Sequence, residues 1–119
     1  MTINWIPLTS EADVEQIKTR SGTTPCLIFK HSTRCNISSL AKYRLEDDWN
    51  LAPENLEAYF LDILKNRSLS NSVAETFQVY HESPQVLLIV NGECVYDASH
   101  LSIAMDELKE AVDALKIQA

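Results

Sequence analysis

Among the side chains of this sequence, the thiol of Cys35 has the setting best suited to covalent chemistry. It follows the apolar run Cys26-Leu27-Ile28-Phe29 through a polar connection, Lys30-His31-Ser32-Thr33-Arg34, and opens a helical pattern. A helix start presents unpaired N–H groups and the positive end of the helix dipole. Both favour a thiolate, which is the nucleophile of disulfide exchange. Arg34 and, more weakly, Lys30 and His31 add positive charge nearby in sequence.

One helical turn on, where a dithiol motif would carry its second cysteine, Cys35-Asn36-Ile37-Ser38 places Ser38. A hydroxyl forms no disulfide, so the expected chemistry is monothiol. Cys35 attacks a disulfide, becomes part of the mixed disulfide and waits for an external thiol. Residues three apart on a helix are neighbours, so Ser38 can donate a hydrogen bond to the Cys35 sulfur; a plain helix-surface serine is the other reading. Cys26, inside an apolar run, and Cys94, just after a turn signal, read as small core or sheet residues. His31, His81 and His100 read as loop or sheet-edge residues. No cluster of His, Cys and acids has metal-site spacing, and no metal is expected.

The elements that must position Cys35 follow from periodicity. Ile3 to Leu8 reads as a short edge strand, and Ser10 with Glu11 and Asp13 reads as a capped helix start, closed by Ser21-Gly22. Cys26 to Phe29 reads as a strand buried on both faces. The helix from Cys35 to about Glu46 carries Leu40 and Tyr43 or Arg44 at helical spacing, and 50–55 reads as a loop. Ala58 to Leu64 is a second β-forming run, and the serines between Ser68 and Ser72 offer caps for a short helix through Phe77. Gln85 to Val90 is a third buried run, joined by the hairpin signal Asn91-Gly92 to Glu93-Cys94-Val95-Tyr96-Asp97. Leu101, Ala104, Met105, Leu108, Ala111, Val112 and Leu115 trace a last helical stripe.

The resulting order, β-α-β-α-β-α-β-β-α, predicts an α/β domain over 1–119 with a mixed central sheet flanked by helices, the order of a thioredoxin-like fold. In that fold Ser83-Pro84, just before the third buried run, stands where a cis-proline lies beside the catalytic cysteine. There Ser83 would offer main-chain contacts to an added substrate strand and Pro84 would shape the groove.

With 17 acidic against 10 basic residues the net charge is -7, which disfavours binding to a phosphate backbone, so no nucleic acid is expected. The longest apolar run, Val86 to Val90, is too short to span a membrane, and the N-terminal residues lack a basic, apolar leader pattern. Three cysteines at no framework spacing fit free thiols in a reducing compartment, so a cytoplasmic location is expected.

Three segments carry a resemblance: Phe29-Lys30-His31-Ser32-Thr33-Arg34-Cys35-Asn36-Ile37-Ser38, Asn66-Arg67-Ser68-Leu69-Ser70-Asn71, and His81-Glu82-Ser83-Pro84-Gln85-Val86-Leu87, continued by Ser99-His100. They resemble the monothiol bacilliredoxins of the bacillithiol system, the YtxJ-type family. That resemblance implies a thioredoxin-like fold and an oxidoreductase acting on S-bacillithiolated proteins. Cys35 would be the nucleophile, bacillithiol the thiol co-substrate and a second low-molecular-weight thiol the release agent, with Pro84 in the substrate groove. A monomer is the expected state, with a homodimer left open. The sequence departs from the family at Asn36, where the family usually has proline. Two other functions compete: an iron–sulfur cluster carrier like the monothiol glutaredoxins, poorly matched because Cys35-Asn36-Ile37-Ser38 lacks their glycine, and a non-catalytic adaptor in which Cys35 is incidental.

Overall fold

The computed structural model describes residues 2–118. Its elements are β1 (Trp5–Pro7), α1 (Glu11–Arg20), β2 (Cys26–His31), α2 (Asn36–Asp48), β3 (Glu57–Asp62), α3 (Arg67–Phe77), β4 (Gln85–Val90), β5 (Glu93–Ser99), a 3-10 turn (His100–Ser102) and α4 (Met105–Gln118). The strands form one sheet in the order β1-β3-β2-β4-β5, with β1 and β2 parallel to β3 and with β4 antiparallel to β2 and β5. This is the α/β arrangement expected from the order of elements.

The buried runs sort by parity. Leu27 and Phe29 of β2, with Val86 and Leu88 of β4, pack against Ala41 and Leu45 of α2 and Met105, Leu108 and Val112 of α4. Cys26 and Ile28, with Leu87 and Ile89, face Val14 and Ile17 of α1 and Leu69, Val73 and Phe77 of α3. A strand buried on both faces needs apolar residues at both parities, which β2 and β4 supply. The irregularity between Leu88 and Ile89 puts two residues of β5 against one of β4. Across it β5 changes face, so Cys94 packs toward α1 and α3 while Tyr96 and Ala98 pack toward α2 and α4.

Local signals hold where chemistry fixes them. Ser10 and Asp13 form a reciprocal capping box, and Asn91 (φ 52°) and Gly92 (φ 77°) take the left-handed conformations of a tight hairpin turn. Four expectations are corrected. The polar connection is shorter than expected, because Lys30 and His31 belong to β2 and only residues 32–34 link it to Cys35. The α3 helix starts after Asn66, which holds the N-cap position without a side-chain capping hydrogen bond, and Ser68, Ser70 and Ser72 lie inside the helix. The run at β3 stops at Asp62, whose Oδ1 accepts the N–H groups of Leu64 (3.0 Å) and Lys65 (3.3 Å) and turns the chain. Finally, Leu101 belongs to the 3-10 turn and is 65% exposed, so the stripe of α4 begins at Met105.

On α2 the residues singled out for helical spacing, Leu40 and Tyr43 or Arg44, are not the ones that turn inward. Ser38, Ala41 and Leu45 are buried, whereas Leu40 and Tyr43 point outward, Tyr43 at 64% exposure. Leu45→Ala should therefore cost about 2–4 kcal/mol of unfolding free energy. Tyr43→Ala and Leu101→Ala should each stay within about 0.5 kcal/mol of wild type. Urea midpoints read all three, and a Leu45→Ala protein as stable as Tyr43→Ala would refute the assigned core face.

Candidate functional site

Cys35 is the N-cap residue of α2, in an extended conformation (φ -109°, ψ 119°), and is half-buried. Its N–H donates to Ser32 O (3.2 Å) and its carbonyl accepts from Ser39 N (3.0 Å), so the residue closes the turn after β2 and begins the helix. Its side chain makes no capping hydrogen bond, which leaves the sulfur uncommitted at the mouth of α2. The other thiols are withheld from reaction. Burial pushes the Cys26 thiol up to about 12 and the Cys94 thiol up to about 11.

The register brings Ser83-Pro84 to the same end of the sheet. Lys30 of β2 pairs with Gln85 of β4, so one step further the antiparallel ladder sets the His31 end of β2 against Pro84. The Ser83–Pro84 peptide is cis, as expected. Pro84 shares the parity of Val86 and Leu88, which puts it on the α2 side of the sheet. Its carbonyl accepts the His100 N–H (3.0 Å), and His100 Nε2 reaches Glu82 Oε2 (3.3 Å). His100 (φ 54°) thus fastens the proline loop to the 3-10 turn, which in turn lies against α2. The Ser83 hydroxyl is buried with no hydrogen-bond partner among the described residues.

Two residues read as loop or helix surface prove to be interior. His31 ends a central strand and is buried, its ring against Phe29 (5.6 Å between centroids) and Phe60 (5.4 Å). Ser38 is fully buried on the inner face of α2. Its Oγ lies 2.6 Å from His31 Nδ1 and accepts the Ser32 N–H at 3.0 Å. The hydroxyl expected to point at the sulfur is bound to the histidine and the connecting loop instead. Burial, then the charge of Lys42, hold the His31 imidazole below its usual pKa, opposed by Asp62, a hydrogen bond with the Ser38 backbone and Glu46, so the ring is neutral near pH 7. Parity was the available signal for His31, which follows Leu27 and Phe29 at alternate positions of one strand.

Lys30 has the opposite parity and lies on the face of α1 and α3, so its charge is not beside the thiol as its place in the sequence suggests. Its side chain is fully buried, and Nζ donates to Ser70 O (3.2 Å) and contacts His81 Nδ1 (3.2 Å), which Ser70 Oγ also approaches (3.1 Å). Burial lowers its pKa to about 8. Gln85, paired with Lys30, donates to Tyr80 O (2.9 Å) and accepts from Glu82 N (3.4 Å). These bonds hold the 80–84 segment under the proline. Arg34 is exposed in the connecting loop. No three His, Cys, Asp or Glu side chains among the described residues converge as a metal site, and no described helix is long and apolar enough to cross a membrane.

Comparison with known proteins bears on this geometry. The family described as monothiol bacilliredoxin BrxC matches residues 6–108. A solved structure of a proposed oxidoreductase with a thioredoxin fold is 32% identical, with a TM-score of 0.77 over 89% of this chain and 91% of that one. The thioredoxin Mala s 13 of Malassezia sympodialis is 14% identical, with a TM-score of 0.72 over 93% of this chain and 90% of that one. Thioredoxin f from spinach chloroplast, in its short form, is 14% identical, with a TM-score of 0.70 over 97% and 96%. At 14% identity the last two likenesses concern the fold alone.

The geometry yields two stability predictions. Asn36 is the first helical residue, and Cys35 before it already has the extended backbone that precedes a proline comfortably. Asn36→Pro should therefore stabilise the protein by about 0.5 kcal/mol through the unfolded chain; a fall in thermal midpoint would show that the turn does not fit proline. For Lys30 the folded pKa lies below the unfolded one, so the cost of burying the charge is complete below about pH 8. That cost disappears as pH rises toward the unfolded value, so stability gains with pH across this window. The unfolding free energy of Lys30→Met minus that of wild type should thus fall between pH 7 and pH 10. A difference that is flat or rises over that interval would contradict a buried charged amine.

Proposed function

The chain belongs to the monothiol bacilliredoxin family, and from that premise we propose that it removes bacillithiol from S-bacillithiolated proteins with Cys35 as nucleophile. The observation that carries this reading is the placement of one uncommitted, half-buried thiol at the start of α2, with Ser38 at the resolving position and the cis Ser83–Pro84 peptide across the register.

The reaction takes two exchanges. The Cys35 thiolate attacks the bacillithiol sulfur of the mixed disulfide. The substrate S–S bond breaks, a bond between Cys35 Sγ and that sulfur forms, and the protein cysteine leaves as a thiolate that takes a proton from solvent. A second low-molecular-weight thiol, as thiolate, then attacks the bacillithiol sulfur held on Cys35. This releases a small-molecule disulfide and restores the Cys35 thiolate. Neither other cysteine is placed to resolve the intermediate: Cys26 is sealed in the core, Cys94 packs on the α1 and α3 face with its thiol pushed up by burial, and Ser38 carries oxygen.

Ser83 supplies main-chain groups to the substrate strand and Pro84 the groove wall. Arg34, exposed one residue before the thiol, adds positive charge that favours the Cys35 thiolate. An uncommitted sulfur at a helix start favours exchange over a passive adaptor, and Cys35-Asn36-Ile37-Ser38 lacks the glycine of the cluster-binding motif. A cytoplasmic, monomeric protein acting without a metal completes the reading.

Intact-mass spectrometry of the reduced protein mixed with a bacillithiolated model protein tests it, beside a Cys35→Ala control. Wild type should gain the mass of one bacillithiol at Cys35 while the model protein loses its adduct, and the control should gain none. If the model protein keeps its adduct in both samples, the transfer reading fails. A brown protein with iron and sulfide after anaerobic purification would favour the cluster carrier instead.

A further inference from the structure

The Asn91-Gly92 dipeptide joins β4 to β5, and it also holds the parts of a self-modifying reaction. Asn91 carries a side-chain amide, and Gly92 has no side chain to hinder the approach of its backbone nitrogen. In an unfolded chain the deprotonated nitrogen of such a glycine attacks the asparagine Cγ. The bond from Cγ to the side-chain nitrogen breaks, ammonia leaves and a five-membered succinimide remains. Water then opens the ring at either carbonyl, giving aspartate or isoaspartate. One water is consumed, one ammonia is released and one negative charge is gained, with no change of oxidation state. Asn91 is exposed, so water reaches it.

Ser21, at the end of α1, holds both backbone amides of this turn. Its carbonyl accepts the Asn91 N–H (2.9 Å) and its Oγ accepts the Gly92 N–H (2.8 Å). The Ser21 hydroxyl proton is donated to Lys18 O (2.8 Å), and the Ser21 N–H to Ile17 O (2.8 Å), which fixes the residue against the last turn of α1. Every bond direction is set, because a backbone N–H only donates and a hydroxyl whose proton lies on a carbonyl can only accept. Ser21 is 2% exposed, so water does not compete for these bonds.

We propose that Asn91 is a latent site of deamidation and isoaspartate formation, held shut in the folded protein by the Ser21 hydroxyl on the Gly92 N–H. The bond acts on the attacking atom in two ways. It makes the nitrogen harder to deprotonate by its own strength, and a turn pinned at both amides cannot rotate that nitrogen toward Cγ. The two products differ in their effect on the hairpin. Aspartate fits where asparagine stood, since both tolerate the left-handed backbone of position 91 (φ 52°). Isoaspartate runs the chain through Cβ and lengthens a turn that sets Val90 opposite Glu93. The site lies at the opposite end of β4 from Pro84 and is independent of the chemistry at Cys35.

The test is the rate of amide-to-acid conversion at position 91 during incubation at mildly alkaline pH, read by peptide mass spectrometry. Folded wild type, Ser21→Ala and Leu45→Ala are compared, with wild type in concentrated urea as the unprotected reference. Ser21→Ala should convert roughly three- to tenfold faster than wild type, the worth of one hydrogen bond. Leu45→Ala loses core packing but keeps both bonds of the turn, so its rate should stay within about twofold of wild type. Wild type in urea should convert more than about tenfold faster than the folded protein. Equal rates in wild type and Ser21→Ala overturn the proposal, as does an equal acceleration in Leu45→Ala or a folded wild type that converts as fast as in urea. If Ser21→Ala fails to fold, hydrogen exchange of the Gly92 amide in wild type decides. A protected amide supports the proposal, and exchange at the rate of an unstructured glycine overturns it.

Discussion

The pairing of Lys30 with Gln85 is the constraint on which the site depends. It sets the end of β2 against the start of β4, and everything chemical in the molecule lies within a few residues of that point. Beyond β2 the chain makes a three-residue connection to Cys35, and ahead of β4 stands the cis Ser83–Pro84 peptide. A slip of one residue would move every side chain of β2 to the other face. His31 would then leave Ser38 and Lys30 would leave Ser70, so the apolar content of both faces also protects the geometry around the thiol.

Parity along β2 divides the support of the site between the two sides of the sheet. At one face His31 engages Ser38 and, through it, the Ser32 N–H, which ties strand, connecting loop and helix together. At the other face Lys30 engages Ser70 and His81, while Gln85 beside it holds Tyr80 and Glu82. The first group fixes the loop that carries Cys35 and the second fixes the segment that carries Pro84. Buried polar groups are costly unless paired, so these networks have few alternative arrangements and hold their loops stiffly. His100, in a left-handed conformation, adds a third fastening from the far end of the hairpin.

Much of the fold was legible because its signals are local or periodic. The Ser10 capping box, the Asn91-Gly92 turn and the three apolar runs each report a short-range preference of the chain, and each became the element it suggested. The misread elements lack such a signal. Leu40 and Tyr43, three apart, and Ala41 and Leu45, four apart, both fit a helical face, and only the sheet beneath α2 decides which one turns inward. Leu101 continues the apolar stripe of α4 in sequence, yet it sits in the 3-10 turn that His100 forces before the helix starts.

The sequence by itself determined the order of elements, the thiol at position 35, the absence of a partner thiol at position 38 and the proline ahead of β4. Those are facts of residue type and short-range spacing, which propensity and periodicity can express. Only the tertiary structure decided what the polar side chains touch. Lys30, His31 and Ser38 are polar residues near a loop, and polarity alone suggests solvent. Their burial follows from strand parity and from the helix laid across it, and the loss of water obliges each to find a partner within the protein. Ser38 found His31 rather than the sulfur because the register carried that ring beneath the helix, a relation between distant segments that spacing along the chain does not encode.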